Sequence, residues 1–217
     1  MKLLKPLLFV ALSIGLGTAG CKKQIVVEAI DYGSIENNVY RNDYFPLSLE
    51  IPEDWAVHDV QTQTNIKEKG SDAVYGDDEY KKALVKASEL SMVSLVSMTK
   101  FPVGEPVPSN PFLKCIAERV QHTPGIKTGE DYLFQKREVL ASGQLNLSFS
   151  GEIHSETVAN HLFSVLAYDL NVGSDSPVHQ KMYAVVLKGY ALAFVITFTD
   201  ESEEAELMEI LNTLSLG

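Results

Sequence analysis

Met182-Tyr183-Ala184-Val185-Val186-Leu187 and Tyr190-Ala191-Leu192-Ala193-Phe194-Val195-Ile196-Thr197-Phe198-Thr199 are two apolar runs that meet at Lys188-Gly189, and the segment Lys181 to Leu216 that holds them decides the fold. Two β-rich runs joined by so short a polar link predict a hairpin. In the second run Leu192, Phe194, Ile196 and Phe198 share one face, while Ala191, Ala193, Val195 and Thr197 share the other, because side chains alternate along a strand. Neither face is polar. Such a strand belongs in the middle of a sheet with helices over at least one side, and its alanine face lets a helix come close. The chain then turns amphipathic. Asp200 is placed to cap a helix and Glu203 stands at its capping-box position. Glu201, Glu203, Glu204 and Glu206 complement the positive end of the helix dipole. Ala205, Met208, Leu211 and Leu214, with Leu207, form the stripe expected to be buried.

The other confident strand comes early. In Phe45-Pro46-Leu47-Ser48-Leu49-Glu50-Ile51-Pro52-Glu53-Asp54-Trp55, Leu47, Leu49 and Ile51 alternate with Ser48 and Glu50, the period of a half-buried strand. Pro52 suits the first corner of a tight turn, Glu53 and Asp54 keep that turn in water, and Trp55 returns to the core as a packing anchor.

Between these anchors the reading is coarser. Gln61 to Asp78 is polar and predicts a loop, followed by a helix from about 78 to 90 capped by Asp77 or Asp78. Asp72, Asp77, Asp78 and Glu79 lack the spacing of a calcium loop. Ser91 to Phe101 predicts a strand, and Pro102 to Pro108 a stiff connection. Asn110-Pro111 has the form of a helix start, and Leu113, Ile116, Ala117 and Val120 recur at i, i+3, i+4 and i+7, so a helix is expected there. Thr128 with Asp131 three residues on opens another, running to about Ala141 and stopped by Ser142-Gly143. From Gln144 the period switches to two, and a further strand is expected from Asn160 to Leu170 before a turn at Asn171 to Pro177.

The first twenty residues read as a signal peptide: Lys2 and Lys5, an apolar run from Pro6 to about Leu16, then Gly17-Thr18-Ala19-Gly20 before Cys21. Small residues directly before a cysteine resemble the lipobox of bacterial lipoproteins, in which the Cys21 thiol carries lipid. Thr18 departs from that pattern, and ordinary cleavage after Ala19 or Gly20 is the alternative. Residues 1–20 are thus a signal peptide, 21–38 a lipid-anchored tether with Ile25 to Ile30 as a candidate edge strand, and 39–217 one α+β domain. If Cys21 is lipidated, Cys115 is a lone thiol, best read as a small buried hydrophobe; if Cys21 is free, a bridge between the two becomes an option.

The chain carries 18 basic and 29 acidic residues, net −11, and losing Lys2 and Lys5 leaves 16 against 29, net −13. That surface repels phosphate backbones and anionic headgroups, so nucleic acid is not an expected partner. Apart from the signal segment no apolar run is long enough to cross a bilayer as a helix.

Taken together, the stretch Phe45 to Trp55 and the stretch Tyr183 to Leu214 resemble the Mog1/PsbP-like fold family, which opens on a strand, a proline turn and a tryptophan and closes on a hairpin and an acidic-started helix. The resemblance implies an α+β fold with a central antiparallel sheet flanked by helices, an α/β/α sandwich, here with helical insertions near 78 to 90 and 110 to 141. It also implies a tendency to bind other proteins, with no catalytic residues to carry over.

Direct signs of chemistry are sparse. Glu152-x-His154-x-Glu156 would place three metal ligands on one face of a strand, although a solvated edge explains the same residues. Ser-x-x-Lys and Gly-x-Ser-x-Gly nucleophile motifs, Gly-rich phosphate loops and clustered metal-ligand cysteines are not found, so no catalytic residue and no cofactor is assigned. The expected function is a membrane-anchored lipoprotein of the cell envelope, facing the periplasm or held in the outer membrane, that binds another envelope protein. A small-ligand or metal carrier is the alternative, and a hydrolase comes third.

Overall fold

The computed structural model describes residues 31–66, 92–143, 146–171 and 177–217. The signal segment, Cys21, Ile25 to Ile30, the helix expected near 78 to 90, its acidic residues and most of the Asn171 to Pro177 turn lie outside them.

Lys188 and Gly189 both have left-handed backbone, φ 52° and 78°, as a two-residue hairpin turn requires. They join β10 (Val178–Leu187) to β11 (Tyr190–Phe198), paired from Leu187 with Tyr190 out to His179 with Phe198. A second such turn at Ala159 and Asn160, φ 50° and 65°, joins β8 (His154–Val158) to β9 (His161–Leu170). With β4 (Ala56–Val57), β5 (Met92–Thr99), β6 (Phe112–Arg119) and β7 (Leu147–Phe149) these strands make an antiparallel sheet in the order β4-β5-β6-β11-β10-β9-β7, β8 also pairing β9. β11 is the middle strand, as its two apolar faces predict.

One face of that sheet carries Leu192, Phe194, Ile196 and Phe198 and packs with α3 (Glu201–Leu211) and a second, smaller sheet. The smaller sheet runs β1 (Ser34–Glu36), β2 (Val39–Asn42), β3 (Leu47–Glu50), β12 (Ser215–Leu216). The other face, with Ala184, Ala191 and Ala193, packs with α2 (Gly129–Ala141). The close approach expected over alanines occurs here: a Cβ on Gly129 would overlap the carbonyl oxygen of Ala184. The α/β/α sandwich is therefore present, with the small sheet added to one layer.

Several local expectations hold in detail. The α2 capping box is complete, with Thr128 Oγ1 accepting from Asp131 N at 3.1 Å and Asp131 Oδ2 accepting from Thr128 N at 2.9 Å. Leu47, Leu49 and Ile51 are buried, and so is Trp55. The indole N–H of Trp55 donates to Glu206 at 3.3 Å, and Lys100 bonds the other Glu206 oxygen at 2.6 Å, tying the turn to α3.

Others are corrected. The segment expected as a helix after Asn110-Pro111 is strand β6, paired with β5 on one side and β11 on the other. Both of its faces are covered, Leu113, Cys115 and Ala117 entering one core while Ile116 and Val120 enter the other beside Lys114 and Glu118, and apolar residues drawn from the two faces together mimicked helical spacing. Asn110 is not a helix cap. Its side chain clamps the 101–110 loop shut, accepting from Phe101 N and donating to Phe101 O, each at 2.9 Å. Part of the polar loop expected from Gln61 is helical: residues 60–66 form α1, capped by Asp59, whose Oδ1 accepts from Thr62 N at 2.7 Å. Residues 34–38, expected in the tether, already belong to the β1–β2 hairpin. Trp55 N donates to Pro52 O at 3.1 Å, so Pro52 opens its turn and does not form the first corner. On α3 the buried residues are Leu207, Ile210 and Leu211, followed by Leu214, while Ala205 is exposed. Glu203 reaches past the Asp200 cap to accept from Thr199 N at 2.7 Å and from Ser109 Oγ at 3.0 Å.

Candidate functional site

The carboxylates and histidine singled out on β8 do not converge. His154 and Glu156 lie on one face of the strand, with Nε2 2.8 Å from Glu156 Oε1. Glu152 precedes the strand in a bend where Gly151 has φ 83°, so strand alternation does not reach it. Its carboxylate points to α2 and sits 3.2 Å from Arg137 Nη1. Among the described residues no group of three or more His, Cys, Asp or Glu is arranged to hold a metal ion. Cys115 is fully buried, and burial pushes its thiol well above the ordinary range, so it is an inert core residue.

Two other histidines are built into the fold. His58 is buried, stacked on Phe112 with ring centres 6.0 Å apart, and bonded at Nδ1 to Ser97 Oγ (3.0 Å) and at Nε2 to Thr99 Oγ1 (2.9 Å). Thr99 Oγ1 donates to Phe101 O at 2.6 Å, so it accepts from His58 Nε2–H, and Ser97 must donate to Nδ1. The neutral tautomer is thereby set, and desolvation lowers the affinity of the ring for a second proton. A Ser-x-x-Lys, counted as absent from the sequence, is present after all: Ser97 and Lys100 stand at the spacing used by some acyl-transfer enzymes. Ser97 is committed to His58 and Lys100 to Glu206, so the two do not act together.

His179 faces solvent. It is the cross-strand partner of Asp169, and its Nδ1 donates to Asp169 Oδ1 at 2.7 Å, both side chains being about a third exposed. The ring also leans on Phe198, centres 5.4 Å apart. With Nδ1 committed to a carboxylate, Nε2 of the neutral ring is left as an acceptor, the arrangement that orients a general base or a ligand. The pair opens into a cleft of about 310 Å³ between the β9–β10 end and the start of α3, which also receives Lys181, Asp200, Glu201 and Glu204. Lys181 is held to Glu204 at 2.6 Å. Ser150 lines the same cleft, but among the described residues no hydrogen bond joins it to His179.

The outer side of α2 forms a broader, shallower cleft of about 670 Å³. Inward, Tyr132 and Leu133 are buried. The Tyr132 hydroxyl donates to Glu118 at 2.9 Å, and burial together with that carboxylate raises its phenol far above the usual value. Lys136 closes the group, 2.6 Å from Glu118 and 5.0 Å above the Tyr132 ring. Outward, Phe134 is 59% exposed among Glu130, Arg137, Glu138 and Glu152.

Neither cleft was singled out from sequence. The Asp169–His179 pair follows from β9–β10 register, which neither strand's own sequence carries. Phe134 carried a weak signal, an aromatic next to the inward Tyr132 and Leu133 on a helix whose outer side also carries Glu130, Gln135, Glu138 and Val139.

No protein-family model matches the chain, and no curated protein matches it in sequence. Solved structures do. The cyanobacterial PsbP of Synechocystis sp. PCC 6803 is 13% identical with a TM-score of 0.48, the match covering 85% of this chain and 98% of that one. PA94 of Pseudomonas aeruginosa, a protein of unknown function, is 13% identical with a TM-score of 0.41, covering 82% and 96%. LpqN of Mycobacterium tuberculosis, described as involved in cell envelope biogenesis, is 13% identical with a TM-score of 0.37, covering 78% and 82%. The first of these carries the name of the family that the opening strand and closing hairpin resemble.

Proposed function

We propose that the protein is a lipoprotein of the cell envelope, anchored through Cys21, that acts as a protein-binding or accessory module. The observation that carries the binding role is Phe134, a ring left 59% exposed on a helix whose inner side is otherwise well buried. The charges around it, Glu130, Arg137, Glu138 and Glu152, suit the polar rim of a contact, where they select a partner by charge. Metabolic labelling with palmitate tests the anchor: label should enter the wild type and be lost in Cys21→Ser, and an unlabelled wild type sinks the lipoprotein reading. Crosslinking in intact cells followed by capture tests the binding role. A single envelope protein should be recovered with the wild type and lost with Phe134→Ala, and equal recovery with both would reject this surface.

The cleft beside His179 supports the second reading, a carrier of a small ligand, because an oriented imidazole, an aromatic wall and carboxylates converge on one volume. Glu152, His154 and Glu156 lend it no support, since Glu152 is turned to Arg137.

A further inference from the structure

The outer side of α2 carries a charge pattern that the fold itself does not use. Glu130, Phe134 and Glu138 recur at i, i+4 and i+8, so they form one ridge with a carboxylate about 6 Å along the axis on either side of the ring. All three are exposed. Neither carboxylate has an ion-pair or hydrogen-bond partner among the described residues. The cations nearest the ridge are already engaged. Arg137 lies 3.2 Å from Glu152 and 5.0 Å from the centre of the Phe149 ring. Lys136 is turned inward to Glu118 at 2.6 Å. Lys127, just ahead of the helix, acts on the cap carboxylate Asp131. Among the described residues, the cleft over this side is therefore lined by Glu130, Asp131, Glu138 and Glu152 against the guanidinium of Arg137.

Helix electrostatics account for only part of this pattern. In the first turn, Glu130 and Asp131 complement the positive end of the α2 dipole. Glu138 stands in the last turn, where the dipole disfavours a carboxylate, and that turn holds no basic residue. Its charge works against the helix and meets no cation among the described residues. A cation brought from outside removes that cost, and an apolar side chain placed between two such cations covers Phe134.

We propose that this ridge docks a basic segment of another protein, in which an apolar side chain seated on Phe134 has Lys or Arg about 6 Å to each side. This rests on the binding role proposed above and gives its partner a chemistry. The ring supplies contact area, and Glu130 and Glu138 supply the choice of partner, since like charges brought against them are rejected. Anionic headgroups and phosphate backbones meet that rejection. So does a two-fold contact between copies of this chain, which would set the acidic ridge against itself.

The test replaces Gln135, which lines the same cleft, with the photo-crosslinker p-benzoylphenylalanine in the full chain in intact cells. Irradiation should join it to one envelope protein, and the joined peptide should carry Lys or Arg within about four residues on each side of an apolar residue, one helical turn. Glu130→Lys with Glu138→Lys should cut the crosslink by about tenfold or more. Glu138→Lys alone should weaken it while leaving the unfolding midpoint at or above the wild-type value, because a cation suits the last turn of a helix; a merely structural role would lower both together. Made as a synthetic peptide, the joined segment should bind up to about fivefold more weakly to each of Glu130→Gln and Glu138→Gln, and roughly thirtyfold more weakly to Phe134→Ala. An acidic or uncharged segment, a lipid, or a peptide of this chain itself at the crosslink would overturn the proposal, as would a crosslink indifferent to charge reversal. Indifference to charge together with loss in Phe134→Ala removes the basic partner and leaves the binding surface. No crosslink with Glu130, Phe134 and Glu138 intact removes the surface as well.

Discussion

The two faces of β11 solve the same problem with opposite means. On one, Leu192, Phe194 and Ile196 meet α3 and the small sheet through large side chains, and Phe163 stacks edge-on to Phe194 at 5.8 Å. On the other, Ala191 and Ala193 offer little volume, and α2 compensates by coming closer, with Gly129 against the Ala184 backbone. The first face is thick and closed. The second is thin, and the helix laid over it is left with one side free, which is where Phe134 stands.

If burial on the thick face dominates stability, Phe194→Ala should cost about 3–5 kcal/mol by urea unfolding; a loss no larger than that of an alanine-face variant would erase the distinction between the faces. On the thin face the danger is excess volume. Gly129→Ala should cost about 1–3 kcal/mol, because α2 must lift off Ala184, and an unchanged unfolding midpoint would show that close approach is dispensable. Thr128→Ala removes the α2 cap and should cost about 1 kcal/mol. Hydrogen bonds from Lys127 N and Thr128 hold the Asp131 carboxyl below its ordinary value. The cap contribution is therefore full above about pH 4, the unfolded value, and shrinks as pH falls through the folded one. The gap between wild type and Thr128→Ala, followed by thermal melts, should narrow in acid, and a gap that widened there would contradict the assigned cap. Phe134→Ala, at the free side, should change stability by no more than about 0.5 kcal/mol; a larger loss would make the ring a packing residue.

The thick face was the legible one. Large residues at period two on β11, a two-residue link at Lys188-Gly189 and an aspartate before a helix each have one local solution, and all three agree. β6 was not legible because Leu113 and Ala117 on one face and Ile116 and Val120 on the other fall together at helical spacing, and Asn110-Pro111 serves a loop clamp as well as a helix start. β12 was invisible for another reason: two residues after a helix carry no periodicity, and only their partner, β3, makes them a strand. Of the candidate clefts, the His179–Asp169 pair depends on register between strands, and register is a property of the pairing rather than of either strand. Glu203 had the right residue in the right place, and its side chain bonded one position further back than the capping box assigns.

β12 has a consequence for how the chain is made. Ser215 pairs with Ser48 and Leu216 with Leu47, and Gly217 N donates to Pro46 O at 2.9 Å. The small sheet thus joins residues 47–48 to residues 215–216, a contact of very high sequence separation, slow to form and impossible until those later residues have been delivered. A polypeptide threaded across a membrane N-terminus first would carry its opening strands without their final partner until the end of transit. Until then β1, β2 and β3 have only one another as partners, and the small sheet is completed when residues 215–217 arrive.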